Sequence, residues 1–316
     1  MTLIDHPENP VPEGSVSGFV KTVDGVDIRY AHWPSLGGLR RGTVTILQGR
    51  AEFIEKYFEV IQDLRQRGFS VIAFDWRGQG GSERLLGNRR KGHIRNFSQY
   101  RTDLYTVLKR ISLAEYAGPH FALAHSTGGA ILLSDAIRLR TMLDRVVLGS
   151  PLTGVIDNGW LEKILFRLAV ILKWVGMGRL FLPGGKADLF ADFEGNRQTS
   201  DERRFDRANA VLRLSPELGI GSPTIGWFYA VAGALQSFRK RGYGPSVSLP
   251  CLVIAAGNDR IVSTPATEEL VSRLKAAGYL EIAGAEHELL MERDEIRDQF
   301  WAAFDAFIPG QAGGLV

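Results

Sequence analysis

The sequence predicts an α/β protein: a mostly parallel, doubly wound sheet with a helical segment inserted after its sixth strand. Three observations carry this. Short apolar runs rich in β-branched residues alternate with helical stretches up to residue 151, a pattern that builds a parallel sheet covered on both faces. The alternation stops near residue 152 and resumes at "CLVIAAGND" (251–259), with mostly helical text between. A serine-centred stretch, "LAHSTGGAI" (123–131), joins a strand directly to a helix in the middle of the pattern.

The elements follow in order. "GFVKTVDGVDIRYAHWP" reads as two strands around a tight Asp24-Gly25 turn. "GTVTILQG" (42–49) is a buried strand. "EFIEKYFEVIQDLRQRG" (52–68) has helical spacing and stops at Gly68. "FSVIAFD" (69–75) is the next buried strand, and the glycine-rich "DWRGQGGSERLLGNRRKGH" follows it as a loop. A helix is expected over roughly 98–112, a strand over 120–126, a helix over 127–140 and a strand over 145–151. Beyond the insertion come a strand at 251–259, a helix at 264–277, a short strand at 279–284 and a final helix at 288–307. Residues 15–151 and 250–308 then form the core, 152–249 a helical lid, and 1–14 and 309–316 flexible termini.

The small residues around Ser126 have a physical reason. A serine on a strained strand-to-helix turn needs small neighbours two positions away, here Ala124 and Gly128, to avoid clashes. Gly129 lets the helix pack closely. Such a turn exposes the hydroxyl above the sheet and puts a helix N-terminus beneath it, where N–H groups hold negative charge. The competing reading is a plain helix N-cap serine.

A serine hydroxyl needs a base, and the base an orienting acid. On this kind of fold the chain order is serine, acid, histidine. Of six histidines, only His287 in "GAEHELL" follows a strand at the right place in that order. His125 abuts the serine and is expected to point the other way. Asp259 in "AAGNDRIV" is the candidate acid, with Glu286 as competitor and a mere turn role for Asp259 as the alternative; Asp75 reads as structural. The oxyanion donors expected are the N–H groups of Thr127 and of Arg50 in "LQGRAEF". A surface charge is the other reading of Arg50. Gly49, which allows close backbone approach, and Trp227 in "SPTIGWF" are the candidate substrate-binding residues, with plain packing inside the lid as the other reading of Trp227.

Composition narrows the partners. The net charge of +3 is too mild for nucleic acid, and no basic run is interleaved with aromatics. One cysteine, Cys251, excludes an intrachain disulfide, and its apolar setting reads as core. No Cys/His cluster has metal-ligand spacing. "RGQGG" lacks the helix and acidic partner of a dinucleotide site, so no cofactor is expected. The N-terminal text carries acids and prolines rather than the apolar run of a secretory signal. No uncharged apolar stretch is long enough to span a bilayer. A cytoplasmic protein is expected, with peripheral contact to the inner membrane face left open.

In the insertion, "WLEKILFRLAVILKWVGMGRLFLP" (160–183) has apolar residues at 161, 164, 165, 168, 171, 172 and 175, with Lys163, Arg167, Lys173 and Arg179 among them. It reads either as an acyl-binding or membrane-facing helix or as one packed on its neighbours. Arg203, Arg204 and Arg207 form a charged run, read either as a solvated face or as contacts to a lipid phosphate.

Taken together, "LAHSTGGAI", "FDWRGQGGSERLL", "GRAEFIEKY", "KGHIRNFSQYRTDL", "SPTIGWFYA" and "GAEHELLMERD" resemble the α/β-hydrolases of the monoglyceride lipase group, and most of all the bacterial lysophospholipases within it. The resemblance runs from about residue 15 to 308. It implies the α/β-hydrolase fold and a serine esterase acting on single-acyl lipids. Ser126, Asp259 and His287 fall on the triad positions, Arg50 and Thr127 on the oxyanion positions. Two departures stand out: Gln48-Gly49 replaces the usual His-Gly, and Ala124 replaces a glycine. The bacterial lysophospholipases share that alanine, which favours a lysophospholipid over a monoacylglycerol. A small-ester esterase or peptidase, and a non-enzymatic ligand sensor, are the alternatives on the same fold.

Overall fold

One eight-stranded sheet organises the chain in the computed structural model, which describes residues 3–37, 40–155, 159–190 and 192–308. The strands are β1 (Val16–Lys21), β2 (Asp27–Trp33), β3 (Gly42–Leu47), β4 (Phe69–Phe74), β5 (His120–His125), β6 (Arg145–Gly149), β7 (Cys251–Ala256) and β8 (Ala277–Ile282). Their order is β1-β2-β4-β3-β5-β6-β7-β8. The first two strands form a hairpin and β2 meets β4 antiparallel; every pairing from β4 to β8 is parallel. This is the mostly parallel, doubly wound architecture expected.

The helices are α1 (Phe58–Gln66), α2 (Ser98–Val107), α3 (Leu113–Glu115), α4 (Thr127–Ser134), α5 (Ala136–Leu139), α6 (Gly159–Trp174), α7 (Glu202–Leu214), α8 (Ile225–Phe238), α9 (Tyr243–Ser246), α10 (Thr264–Arg273) and α11 (Asp294–Phe307). Side chains alternate across the strands. Val44, Ile46, Phe121, Leu123, Val147 and Ile254 pack with α1 and α11 on one face. Leu47, Ala122, Ala124, Val146, Leu148 and Val253 pack with α2, α4, α8 and α10 on the other. The central strands are buried on both sides, which is why they read as continuous apolar text. Ala122 and Ala124 keep the second face of β5 shallow, so α4 lies close to the sheet.

Boundaries differ from expectation where local chemistry intervenes. The 52–68 helix opens as a 3₁₀ turn at Ile54–Tyr57 and continues as α1. The 127–140 helix divides at Asp135, whose carboxylate turns to Arg138 while its own backbone leaves the helical region. The final helix begins only at Asp294, after a 3₁₀ turn at Leu289–Met291.

Residues 1–14 were expected to be loose, and residues 3–14 are not. Ile4 N–H donates to the Glu55 carboxylate, Asn9 Nδ2 to the Glu55 carbonyl, and Trp33 Nε1 to the Pro12 carbonyl. A short polar segment can be fixed in this way without any periodicity of its own. Residues 309–316 lie outside the described residues.

Helices α6 to α9 fall between β6 and β7. This insertion is tied to the core by charge. Buried Arg204 of α7 pairs with Glu59, Asp201 and Asp294, and Arg207 also reaches Glu59. These two arginines are therefore occupied by core carboxylates, while Arg203 is exposed. Trp227 Nε1 on α8 donates to Tyr100 Oη on α2 at 3.0 Å. On α6, Phe166 stacks on Tyr229 and Ala169 is buried, whereas Ile164, Leu168, Ile171, Trp174 and Val175 are exposed. The side chains of Leu161, Lys163 and Leu165 lie outside the described residues.

Candidate active site

Ser126 caps α4 with φ +50° and ψ −116°, a conformation that L-residues avoid. The surroundings force it. Ser126 N–H donates to Gly149 O, and Ser126 O accepts from Leu152 N–H and Ala130 N–H. A Cβ on Gly128 would lie 2.1 Å from Leu47 O, and one on Gly129 would lie 2.7 Å from Pro151 Cβ. Only glycine fits at both positions.

The sheet brings three distant side chains together. His287 Nε2 lies 3.0 Å from Ser126 Oγ, and His287 Nδ1 lies 2.7 Å from Asp259 Oδ2. The other Asp259 oxygen accepts from the N–H groups of Ile261 and Val262. Burial alone would raise the Asp259 pKa. The hydrogen bond and charge of His287, with those two N–H groups, outweigh it and hold the carboxyl below its usual value. Glu286, the competing acid, is engaged elsewhere, by Asn258 Nδ2 at 2.6 Å and by Arg260.

Among the described residues, the N–H groups of Arg50 and Thr127 have no protein acceptor. Both residues line the Ser126 cavity. The loop that carries Arg50 is set by buried charges. Asp75 receives Arg29 Nε at 2.6 Å, Gln48 Nε2 at 2.8 Å, Ile54 N–H and Gly81 N–H. Arg29 also grips Glu55 through both terminal nitrogens at 2.8 Å. Gln48 thus anchors the loop. Asp75 is structural, as its position before the glycine-rich loop suggested.

Gly49 lines the cavity too. Its N–H donates to the Glu52 carboxylate, and a Cβ there would crowd Glu52 and His125. Trp227 is buried and forms part of the wall. The Arg50 side chain is no surface charge: its Nη2 donates to Gly221 O at 2.6 Å and its guanidinium lies over Trp227.

The cavity has a volume of about 310 Å³ and two unlike linings. Leu152, Val155, Phe228, Val231, Leu235 and Val262 are its apolar lining, three of them in succession along α8, while Glu52, His125, Gln198 and Glu288 are its polar lining, joined to one another directly or through Lys56. Of these, Gln198 lies in no motif singled out in the sequence, and Glu52 and Glu288 lie inside such motifs without having been assigned a role. Glu52 holds Tyr57 Oη, Lys56 Nζ and His125 Nδ1, and Lys56 also reaches Glu288 at 2.6 Å. Burial would raise the Glu52 pKa, but Lys56 and His125 hold it well below the usual value. The same contacts act in reverse on His125: burial opposes its proton, and Glu52 raises its pKa. The His125 ring packs beside His287 with centroids 4.9 Å apart, so it turns to Glu52 rather than to the serine. No group of His, Cys, Asp or Glu suited to a metal occurs among the described residues.

The fold is that of the α/β-hydrolases. Residues 38–294 match the family described as serine aminopeptidase S33, and the chain belongs to that family. It is 27% identical over 288 residues to a probable lysophospholipase L2 of Haemophilus influenzae, covering 91% of this chain and 90% of that one. It is 29% identical over 286 residues to lysophospholipase L2 of Escherichia coli, covering 87% and 82%. A monoacylglycerol lipase of Mycolicibacterium smegmatis is 27% identical over 276 residues, covering 86% and 90%. Among solved structures, a monoglyceride lipase of Saccharomyces cerevisiae superposes with a TM-score of 0.73 at 19% identity, covering 93% of this chain and 96% of that one.

Proposed function

We propose that the protein is a serine carboxylic-ester hydrolase that releases the fatty acid from single-acyl glycerolipids, and that lysophospholipids are its substrates. The observation that carries this reading is the cavity at Ser126, with its apolar lining and its linked polar one. A substrate with one long acyl chain and one polar alcohol matches that division. The relatives named lysophospholipase support the choice of lipid.

The chemistry follows from the distances. Ser126 Oγ attacks the ester carbonyl as His287 Nε2 takes its proton. Asp259 fixes the imidazole with its other nitrogen protonated and stabilises the imidazolium. The N–H groups of Arg50 and Thr127 hold the oxyanion; loss of one such donor costs about 3–4 kcal/mol in the barrier. His287 returns its proton to the glycerol oxygen, which leaves. A water then attacks the acyl-enzyme through the same base and frees the fatty acid. Residues 152–249 serve as a lid over this site.

Contact with a membrane surface belongs to the same reading. The exposed face of α6 presents Ile171 and Trp174, 59% and 87% exposed, beside the exposed Arg167. Apolar side chains flanked by a cation suit an anionic interface. No helix among the described residues is long and apolar enough to cross a membrane.

The test is fatty-acid release from a long-chain lysophospholipid and the matched monoacylglycerol, by wild type and Ser126→Ala. Serine-dependent release, faster from the lysophospholipid, is expected. Faster release from the monoacylglycerol would reverse the head-group assignment, and no release from either would end the reading. Sedimentation with anionic vesicles tests the α6 face: Ile171→Ser/Trp174→Ser should leave the protein in the supernatant.

A further inference from the structure

The Arg50 side chain is a half-buried cation with one nitrogen, Nε, shielded from water. Arg29 is matched by Asp75 and Glu55, Arg77 by Asp24 and Asp103, and Arg297 by Glu59 and Asp63, whereas Arg65 and Arg84 hold only carbonyl and amide oxygens and lie outside the Ser126 cavity. Among the described residues no carboxylate pairs with Arg50. Its Nη2 has a neutral carbonyl, Gly221 O, and its Nε is buried with no partner. Trp227 offers its ring face, 5.2 Å from Cζ. Burial lowers its pKa to about 10, against a small opposing effect of Tyr100. An unmatched charge partly withdrawn from water is destabilising unless something supplies the opposite charge, and Arg50 lines the cavity where substrate enters.

Its position says which part of a substrate it meets. The apolar wall runs along α8 from Phe228 through Val231 to Leu235, away from Trp227 at the start of that helix. Ala51 and, from the polar lining, Gln198 and Glu288 are shared with an adjoining chamber of about 140 Å³, also lined by Gly219 and Ile220. The carbonyl that Arg50 grips, Gly221, follows directly on that wall. With the acyl chain along α8, the alcohol half of the ester points to this side. In a 1-acyl glycerophospholipid, as many bonds separate the ester carbonyl carbon from phosphorus as separate an arginine's backbone nitrogen from Cζ. A carbonyl oxygen held at Arg50 N–H therefore places the phosphate within reach of the same residue's guanidinium.

We infer that the Arg50 side chain takes the phosphodiester of a lysophospholipid and so sets the preference for phospholipid over neutral monoacylglycerol. This rests on the acyl-hydrolase reading above. Arg50 then acts twice, its N–H on the oxyanion and its planar fork on the phosphate, a geometry lysine does not reproduce.

The experiment measures kcat/KM for palmitoyl lysophosphatidylcholine and for 1-palmitoylglycerol in the full chain, and takes their ratio. The ratio cancels damage to the oxyanion site or the fold that both substrates share. Arg50→Met should lower it by about tenfold or more, and Arg50→Lys should lower it less. Arg84→Met is the control. Among the described residues Arg84 also has no carboxylate partner; it tethers the insertion through Glu217 O at 2.7 Å and lines none of the described cavities. Its ratio should stay at the wild-type value. An unchanged ratio in Arg50→Met, or an equal fall in Arg84→Met, overturns the assignment and leaves the hydrolase reading standing. If Arg50→Met does not fold, the Arg50→Lys ratio decides on the same terms. Wild type that releases palmitate from neither lipid overturns both.

Discussion

Ser126 Oγ and His287 Nε2 stand 3.0 Å apart across 161 residues of chain. The sheet produces that contact. Ser126 follows the end of β5, while Asp259 and His287 follow the ends of β7 and β8, so all three side chains rise from one edge. That is the edge at which open α/β sheets bind ligands.

Removing the hydroxyl separates chemistry from folding. Ser126→Ala should lower kcat on the order of 10⁶-fold, with an unchanged circular dichroism spectrum. Ser126 also sits at φ +50°, where a glycine is unstrained. Ser126→Gly should therefore be equally inactive yet more stable than Ser126→Ala, by about 1 kcal/mol. Urea unfolding of the two variants checks this; the reverse order would remove strain from the account.

The two acids near His287 can be told apart by rate. Asp259→Asn should cut kcat by about 10⁴-fold through the wrong imidazole tautomer. Glu286→Gln, whose partners are Asn258 and Arg260, should stay within a few-fold of wild type. Steady-state kinetics on one ester substrate decides it, and a larger loss in Glu286→Gln would reassign the acid.

Gly128 is the tightest point of the turn. A methyl there would press on Leu47 O at 2.1 Å and Gln48 O at 2.7 Å, moving the loop that carries Arg50 N–H. Gly128→Ala should cost about 1–3 kcal/mol of stability and lower kcat as well. A variant with wild-type melting temperature and rate would contradict the packing described.

Glu59 makes the insertion's docking depend on pH. Burial pushes its pKa up, but hydrogen bonds from Arg204 and Arg207, with the charges of Arg297 and Arg207, outweigh this and hold it at about 2. A carboxyl depressed in the folded state stabilises above its unfolded value of about 4.3, and that contribution is lost as pH falls toward 2. Glu59→Gln should melt lower than wild type at pH 7, with the gap closing between about pH 4.5 and 2. Differential scanning calorimetry across that range is the measurement, and a pH-independent gap would count against the linkage.

Much of the site was legible in the residues. Small side chains at Ala124, Gly128 and Gly129 mark the turn because strain there is local to a few bonds. The order Ser126, Asp259, His287 was readable because each follows a strand with its own periodicity. The polar end of the cavity was not. Glu52, Gln198 and Glu288 come from a loop, the insertion and the segment after β8, and nothing in their spacing links them. The arginine run of α7 misled for a similar reason. Arg204 and Arg207 were open to two readings, a solvated face or contact with a phosphate, and neither holds, because folding brings Glu59 to them. The candidate for phosphate is instead Arg50, chosen in the sequence only for its backbone.

The sequence by itself determined the layered α/β architecture, the strained serine turn and the place of the helical insertion, because periodicity and backbone sterics act over neighbouring residues. Tertiary structure alone decided which charges are matched. Arg29 meets Asp75 and Glu55, Arg204 meets Glu59, and Arg50 meets no carboxylate among the described residues. Pairing of buried charges depends on distances between segments far apart in the chain, and those distances exist only once the sheet and the insertion have packed.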